Sequence, residues 1–124
     1  MDLSKQFADG ERREVLDARR YPRYKLEVDI RVYPRNSDVV RGHTVDISQS
    51  GISAVLRDEV PIGEVVRLEF TLDFGNVDVP AIIRQRNAFR YGFQFVEAAS
   101  MQDVIAKTCR HLALEKSARV PPNN

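Results

Sequence analysis

The fold is decided by a stretch that reads KLEVDIRVY and spans residues 25–33. Four apolar residues alternate there with charged ones: Leu26, Val28, Ile30 and Val32. Successive side chains of a β-strand point to opposite faces of the sheet, so this alternation is typical of a strand with one buried and one solvated face. We therefore predict a strand over Lys25–Tyr33.

Similar patterns continue on the C-terminal side and then change period. Further strands are predicted over residues 39–45, 52–56, 66–72, 77–86 and 89–96, and Pro80 favours an edge or a bulge. From Ser100, a candidate N-cap, apolar residues recur at helical spacing to about Lys116. About six short strands followed by one helix predict a mainly β domain, either a small barrel or a sandwich, with a C-terminal α-helix.

Length and composition restrict the class of protein. The chain has 124 residues, 19 basic against 18 acidic side chains and one cysteine, Cys109. That near-balance of charge argues against a general nucleic-acid-binding protein, and a single cysteine excludes an internal disulfide and fits the cytoplasm. No apolar run is long enough for membrane insertion. Residues 1–17 are expected to be a flexible arm, residues 18–116 the domain, and residues 117–124 a disordered tail.

Three arginines precede the first strand, namely Arg19, Arg20 and Arg23. Arg19 and Arg23 are four residues apart and share a face in either a strand or a helix, whereas Arg20 points elsewhere. A guanidinium matches both the guanine edge and a phosphate. The alternative is a solvated basic turn, or ion pairs with the acidic residues of the N-terminal arm.

A second motif, Asp-x-Ser-x-x-Gly, covers Asp46, Ser48 and Gly51. A carboxylate can accept hydrogen bonds from the N1–H and N2–H₂ groups of guanine, and a serine hydroxyl can donate to phosphate or to the backbone. Gly51 permits a positive φ and a close backbone approach to a ligand. The alternative is an ordinary hairpin turn, where these residue types are expected.

The two motifs, in this order and separated by two strands, resemble the PilZ domain, the bacterial receptor for cyclic di-GMP. The resemblance covers roughly residues 17–115 and includes the downstream segments 83–86 and 91–95. It implies a six-stranded antiparallel β-barrel with a C-terminal α-helix. It also implies cyclic di-GMP as the ligand, bound by Arg19, Arg20, Arg23, Asp46, Ser48 and Gly51. In that interpretation the N-terminal arm closes over the ligand and signals to an unidentified downstream protein, without any cofactor; homodimerisation is left open.

Other functions have less support in the sequence. A PilZ-like protein-interaction module that does not bind nucleotide is the main alternative, and a barrel that binds single-stranded nucleic acid is the third. Arg84 and Arg86 are candidates for additional phosphate contacts, and Tyr21 or Tyr24 for base stacking. His43, Cys109 and His111 lack metal-site spacing, and no catalytic triad is recognisable, so neither a metal site nor an enzyme is predicted.

Overall fold

The computed structural model describes residues 21–119. The strands are β1 (Tyr24–Lys25), β2 (Asp29–Tyr33), β3 (Val40–Ile47), β4 (Gly51–Leu56), β5 (Val65–Leu72), β6 (Gly75–Asn87) and β7 (Arg90–Phe95). A short 3₁₀ turn, Ala99–Met101, leads into the helix α1 (Gln102–Arg119). The predicted strands are all present, with boundaries shifted by a few residues.

Six of these strands close into an antiparallel barrel. The order is β3-β2-β5-β6-β7-β4, and β4 pairs again with β3 to complete the ring. β1 is an additional strand that pairs with the end of β3, through Tyr24 opposite Ile47 and Lys25 opposite Asp46. Closure leaves no free edge in the ring, so the apolar face of every strand is buried inside. The mainly β, six-stranded barrel is confirmed.

The predicted strand over Lys25–Tyr33 is interrupted in the middle. The buried hydroxyl of Thr44 donates to the carbonyl of Leu26 and accepts from the amide of Val28. These two bonds bridge the break between β1 and β2, while the amide of Leu26 still donates to the carbonyl of Val45 at 3.0 Å and the amide of Thr44 to the carbonyl of Val28 at 2.9 Å. The apolar alternation persists through the break because Leu26 and Val28 still pack against the core.

The helix covers the barrel of its own chain. Ile105 and Cys109 are buried against the core, and Val104 and Leu112 pack around them. The predicted apolar stripe is therefore confirmed, although the helix continues to Arg119. Ser100 lies inside the 3₁₀ turn and is not the N-cap, because the turn gives the chain its entry into the helix.

Pro80 lies where β6 is paired on one side. β6 is paired with β5 over residues 75–82, which include Pro80, but the ladder to β7 begins only at Ala81. A proline lacks a backbone N–H, so it is tolerated at a position that needs no second ladder bond. The carbonyl of Pro80 does accept from the amide of Val96.

Candidate ligand-binding site

The Asp-x-Ser-x-x-Gly motif forms the connection between β3 and β4. Ser48 is fully buried, and its hydroxyl accepts from the amides of Ser50 and Gly51 at 3.2 Å each. Its own amide donates to the carbonyl of Gly51 at 2.8 Å. The Ser48 side chain therefore holds the turn closed from inside, as a serine does in a local side-chain-to-backbone motif.

Gly51 is required by strand packing. A Cβ at this position would stand 2.2 Å from the carbonyl oxygen of Phe93 on β7. Its φ is not in the positive region, which the described glycines Gly63 and Gly75 occupy. The expected positive φ is therefore wrong for Gly51. Gly51 does lie in close contact with another backbone, but that backbone belongs to the neighbouring strand.

Asp46 is the chemical centre of the site. A register shift in β3 between Thr44 and Asp46 turns this side chain outward, and it is 18% exposed. Oδ1 accepts from the hydroxyl of Ser53 at 2.7 Å and from Nε and Nη2 of Arg23 at 2.9 and 2.8 Å. Oδ2 accepts from Nη2 of Arg90 at 3.2 Å. We call these four residues the Asp46 cluster.

Arg23 reaches the carboxylate because β1 pairs with the end of β3. The backbone pairing of Lys25 with Asp46 brings the preceding residues alongside the motif. The guanidinium of Arg23 therefore lies against the carboxylate of Asp46, as the sequence predicted. Arg19 and Arg20 lie outside the described residues, as does the predicted arm of residues 1–17.

A groove of about 440 Å³ extends from the Asp46 cluster along the β6–β7 hairpin. Its walls include Arg23, Ser53, Arg86 and Arg90. Arg86 bonds Glu59 at 3.1 Å and lies over the ring of Tyr91, with 5.5 Å between the guanidinium carbon and the ring centroid. Three guanidinium groups thus face one open groove, which suits an anion.

Arg84 and Arg86 do not share the groove. A register shift in β6 between Ile83 and Gln85 separates their directions. Arg84 donates to Gln94 at 2.6 Å, whereas Arg86 lines the groove. Tyr24, considered above for base stacking, packs against the barrel core.

A larger concavity lies elsewhere and contains no motif residue. It measures about 810 Å³ and covers the outer side of β2, β3, β5 and β6. There Arg31 pairs with Glu69 at 3.4 Å and Arg67 lies close by, bonded to Asp78 at 2.8 Å. The hydrogen bond to Asp78 raises the pKa of Arg67. We call this surface the far face; it is larger than the groove beside the Asp46 cluster.

Residues 21–119 show neither a metal-binding cluster nor a membrane-spanning helix. That part of the chain holds no group of three or more His, Cys, Asp or Glu side chains that could bind a metal ion. Within the same residues, α1 is not long and apolar enough to span a bilayer.

Two members of the Asp46 cluster were missed by the sequence analysis. Ser53 had a usable signal, because a hairpin closed at residues 48–50 places it opposite Asp46. Arg90 had none, because its position depends on the pairing of β4 with β7, where it stands opposite Val55. Such a long-range register cannot be read from local patterns.

The sequence matches the PilZ domain over residues 17–111, so the chain belongs to the PilZ domain family. A comparison with curated proteins found no match.

Solved structures with a similar architecture agree with that assignment. The inhibitor of motility MotI/DgrA of Bacillus subtilis has a TM-score of 0.66 at 24% identity, covering 77% of this chain and 51% of that one. YcgR of Escherichia coli in complex with cyclic di-GMP gives 0.63 at 19%, covering 81% and 47%. The K. pneumonia MrkH–cyclic di-GMP complex gives 0.68 at 16%, covering 82% and 54%. The chain spans about half the length of these relatives, and the likeness shows a common fold.

Proposed function

We propose that this chain binds cyclic di-GMP at the Asp46 cluster and passes the binding event to a partner protein. The observation that carries the proposal is the convergence of two guanidinium groups and a hydroxyl on one partly exposed carboxylate. Family membership and the two similar proteins solved with cyclic di-GMP support the identity of the ligand. A PilZ domain is expected to act by binding rather than by catalysis.

Each group in the cluster has a role that fits this ligand. The Asp46 carboxylate can accept two hydrogen bonds from the N1–H and N2–H₂ groups of guanine. Arg23 presents a planar fork that matches a phosphate or the O6 and N7 atoms of guanine. Ser48 and Gly51 shape the turn beside which the base lies, and Ser48 acts through the backbone that it holds.

The N-terminal residues complete the proposed site. Arg19 and Arg20 precede Arg23 closely enough to reach a ligand held at Asp46, and residues 1–17 would close over it as an arm. Such closure is an order–disorder switch driven by new contacts to a charged ligand. Hydrogen exchange of the peptide covering residues 1–20 should slow when cyclic di-GMP is added. Unchanged exchange at saturating ligand would contradict the arm proposal alone.

Calorimetric titration of cyclic di-GMP tests the function directly. Wild type should bind, and Arg23→Ala and Asp46→Ala should each lose a charge-assisted contact of about 1.5–3 kcal/mol. Arg20→Ala should lose less than Arg23→Ala. Arg31→Ala is the matched control, because it removes an exposed, paired guanidinium on the far face. Absence of heat with wild type at both low and physiological salt would refute the proposal.

Base selectivity gives an independent readout. Adenine presents an acceptor at N1 where guanine presents a donor, so the Asp46 carboxylate should favour cyclic di-GMP over cyclic di-AMP. Asp46→Asn replaces one acceptor oxygen by a donor and should reduce this preference. A variant that keeps the full preference would show that the carboxylate does not read the base.

The proposal also includes a partner protein, a cellular location and an oligomeric state. We expect a downstream protein to read the ligand-bound form, and a cytoplasmic location that suits one unpaired cysteine. Binding of DNA or RNA is not expected, since the chain has 19 basic and 18 acidic residues. Sedimentation with and without cyclic di-GMP tests homodimerisation.

A further inference from the structure

Arg90 bonds the Asp46 carboxylate, the group that the proposed function assigns to the guanine base. Its Nη2 bonds Oδ2 of Asp46, while Arg23 and Ser53 bond Oδ1. A guanine that bonds through both N1–H and N2–H₂ requires acceptor sites on this same carboxylate. The carboxylate already accepts four hydrogen bonds, about the number of acceptor sites that it offers, so a base that bonds it must displace at least one donor, which must then exchange its partner. Arg90 makes the longest of the four bonds, at 3.2 Å.

Arg90 is free to make that exchange. Its side chain is 54% exposed and hangs from the start of β7, at the rim of the groove. In the part of the chain that the structure describes, its one ion pair is with Asp46. A long side chain with this exposure can turn toward a neighbouring anion without any movement of the barrel backbone.

The charges of the groove favour a phosphate as the new partner. Arg23, Arg86 and Arg90 contribute three positive charges. Two carboxylates, Asp46 and Glu59, pair with them. When a neutral guanine takes the carboxylate of Asp46, the guanidinium that it displaces needs an anion, and a phosphodiester beside the base supplies one.

We propose that Arg90 is a ligand-binding residue, exchanging the Asp46 carboxylate for a phosphate of the bound dinucleotide. This inference rests on the proposed function, since it assigns Arg90 a contact with the ligand at that same site. It extends the site from the two sequence motifs onto the β6–β7 hairpin. Arg86, anchored by Glu59 and by its position over Tyr91, forms the fixed wall behind it.

Three variants of the full chain test the assignment by titration with cyclic di-GMP. Arg90→Ala should bind about ten- to hundredfold more weakly than wild type, the equivalent of one charge-assisted contact. Arg90→Lys should recover part of that loss, because it keeps the charge without the fork. Arg84→Ala is the matched control: it removes an exposed arginine of the same hairpin that bonds Gln94 outside the groove. Its affinity should stay within about twofold of wild type.

A purely structural role, in which Arg90 only steadies Asp46, predicts a different result in a double-variant cycle. If Arg90 acts through Asp46 alone, Arg90→Ala should cause no further loss once Asp46→Asn is present. If Arg90 contacts phosphate, it should weaken binding in that background too. Thermal unfolding should leave Arg90→Ala close to wild type, given its exposure.

The outcomes separate the two proposals. Wild type that binds, together with Arg90→Ala that matches Arg84→Ala, overturns the role of Arg90 and leaves the function intact. Loss in the wild-type background but none in the Asp46→Asn background also overturns it. Wild type that fails to bind removes the proposed function and this inference with it.

Discussion

The Asp46 cluster and the far face both pair arginines with carboxylates, but they differ in the number of arginines that bond one carboxylate. On the far face two carboxylates have one arginine each, in the pairs Arg31–Glu69 and Arg67–Asp78, and these side chains are 39–54% exposed. At the cluster two arginines share the carboxylate of Asp46, which is 18% exposed. Exposed single pairs contribute little, whereas a shared and partly buried carboxylate concentrates cations at one point. Convergence, more than the number of ion pairs, distinguishes a binding site from a solvated surface.

The largest effect, on the free energy of unfolding, is expected at Gly51, in the motif that also contains Asp46. Gly51→Ala would press a methyl group against the Phe93 carbonyl and should lower the free energy of unfolding by about 3 kcal/mol. Gly92→Ala is the control, because its methyl group would meet the flexible side chain of Gln85 at 2.9 Å. Urea denaturation should show a clearly smaller loss for Gly92→Ala. Equal losses would show that close strand approach is not the reason for glycine at position 51.

The next effect compares the two carboxylates directly. Asp46→Ala should weaken cyclic di-GMP binding by about 1.5–3 kcal/mol or more, because it removes the proposed guanine acceptor. Glu69→Ala removes a carboxylate that accepts from Tyr33 at 2.8 Å and from Arg31, and should leave binding unchanged. Calorimetry at one salt concentration gives both values. A similar loss for Glu69→Ala would move the binding site toward the far face.

A smaller effect is expected from the hydroxyl that orients Asp46. Ser53→Ala removes the 2.7 Å bond to Oδ1 and should weaken ligand binding by about 1 kcal/mol, near fivefold. Thr71→Ala removes a comparable hydroxyl contact, at 2.9 Å to Asn76, on the far face. Its affinity should equal that of wild type in the same titration. Should Ser53→Ala bind as wild type does, the hydroxyl is not needed to orient the carboxylate.

The smallest effect belongs to the far face itself. Arg31→Ala breaks a 3.4 Å pair between exposed side chains and should change the free energy of unfolding by less than about 0.5 kcal/mol. Chemical denaturation at low and high salt should give nearly the same small difference. A loss above 1 kcal/mol would mean that the far face stabilises the barrel and is not merely solvated.

Most strands of the barrel could be predicted from the alternation of apolar and polar residues, because a strand with one buried face has a sequence period of two. The break at residues 26–28 did not, since it depends on a hydroxyl from Thr44 on another strand. The helix was visible in its apolar stripe, but its entry through a 3₁₀ turn was not.

The candidate site likewise contains residues that local motifs predicted and residues that they did not. Asp46 and Arg23 were found because each belongs to a short motif, and the structure unites them. Ser48 and Gly51 were predicted from the same motif, and the structure shows what they do for the turn and for strand packing. Arg90 was not predicted, because its place depends on barrel closure. Closure brings β7 beside β4 and leaves no local pattern in the sequence.

The buried cysteine has a practical consequence. Burial raises the pKa of the Cys109 thiol to about 11, so near neutral pH almost none of it is the reactive thiolate. Because the sequence has no other cysteine, a thiol introduced at the surface could be labelled selectively without first removing the native one. A fluorophore placed at the rim of the groove would then report occupancy by its change in emission, in an otherwise unaltered barrel.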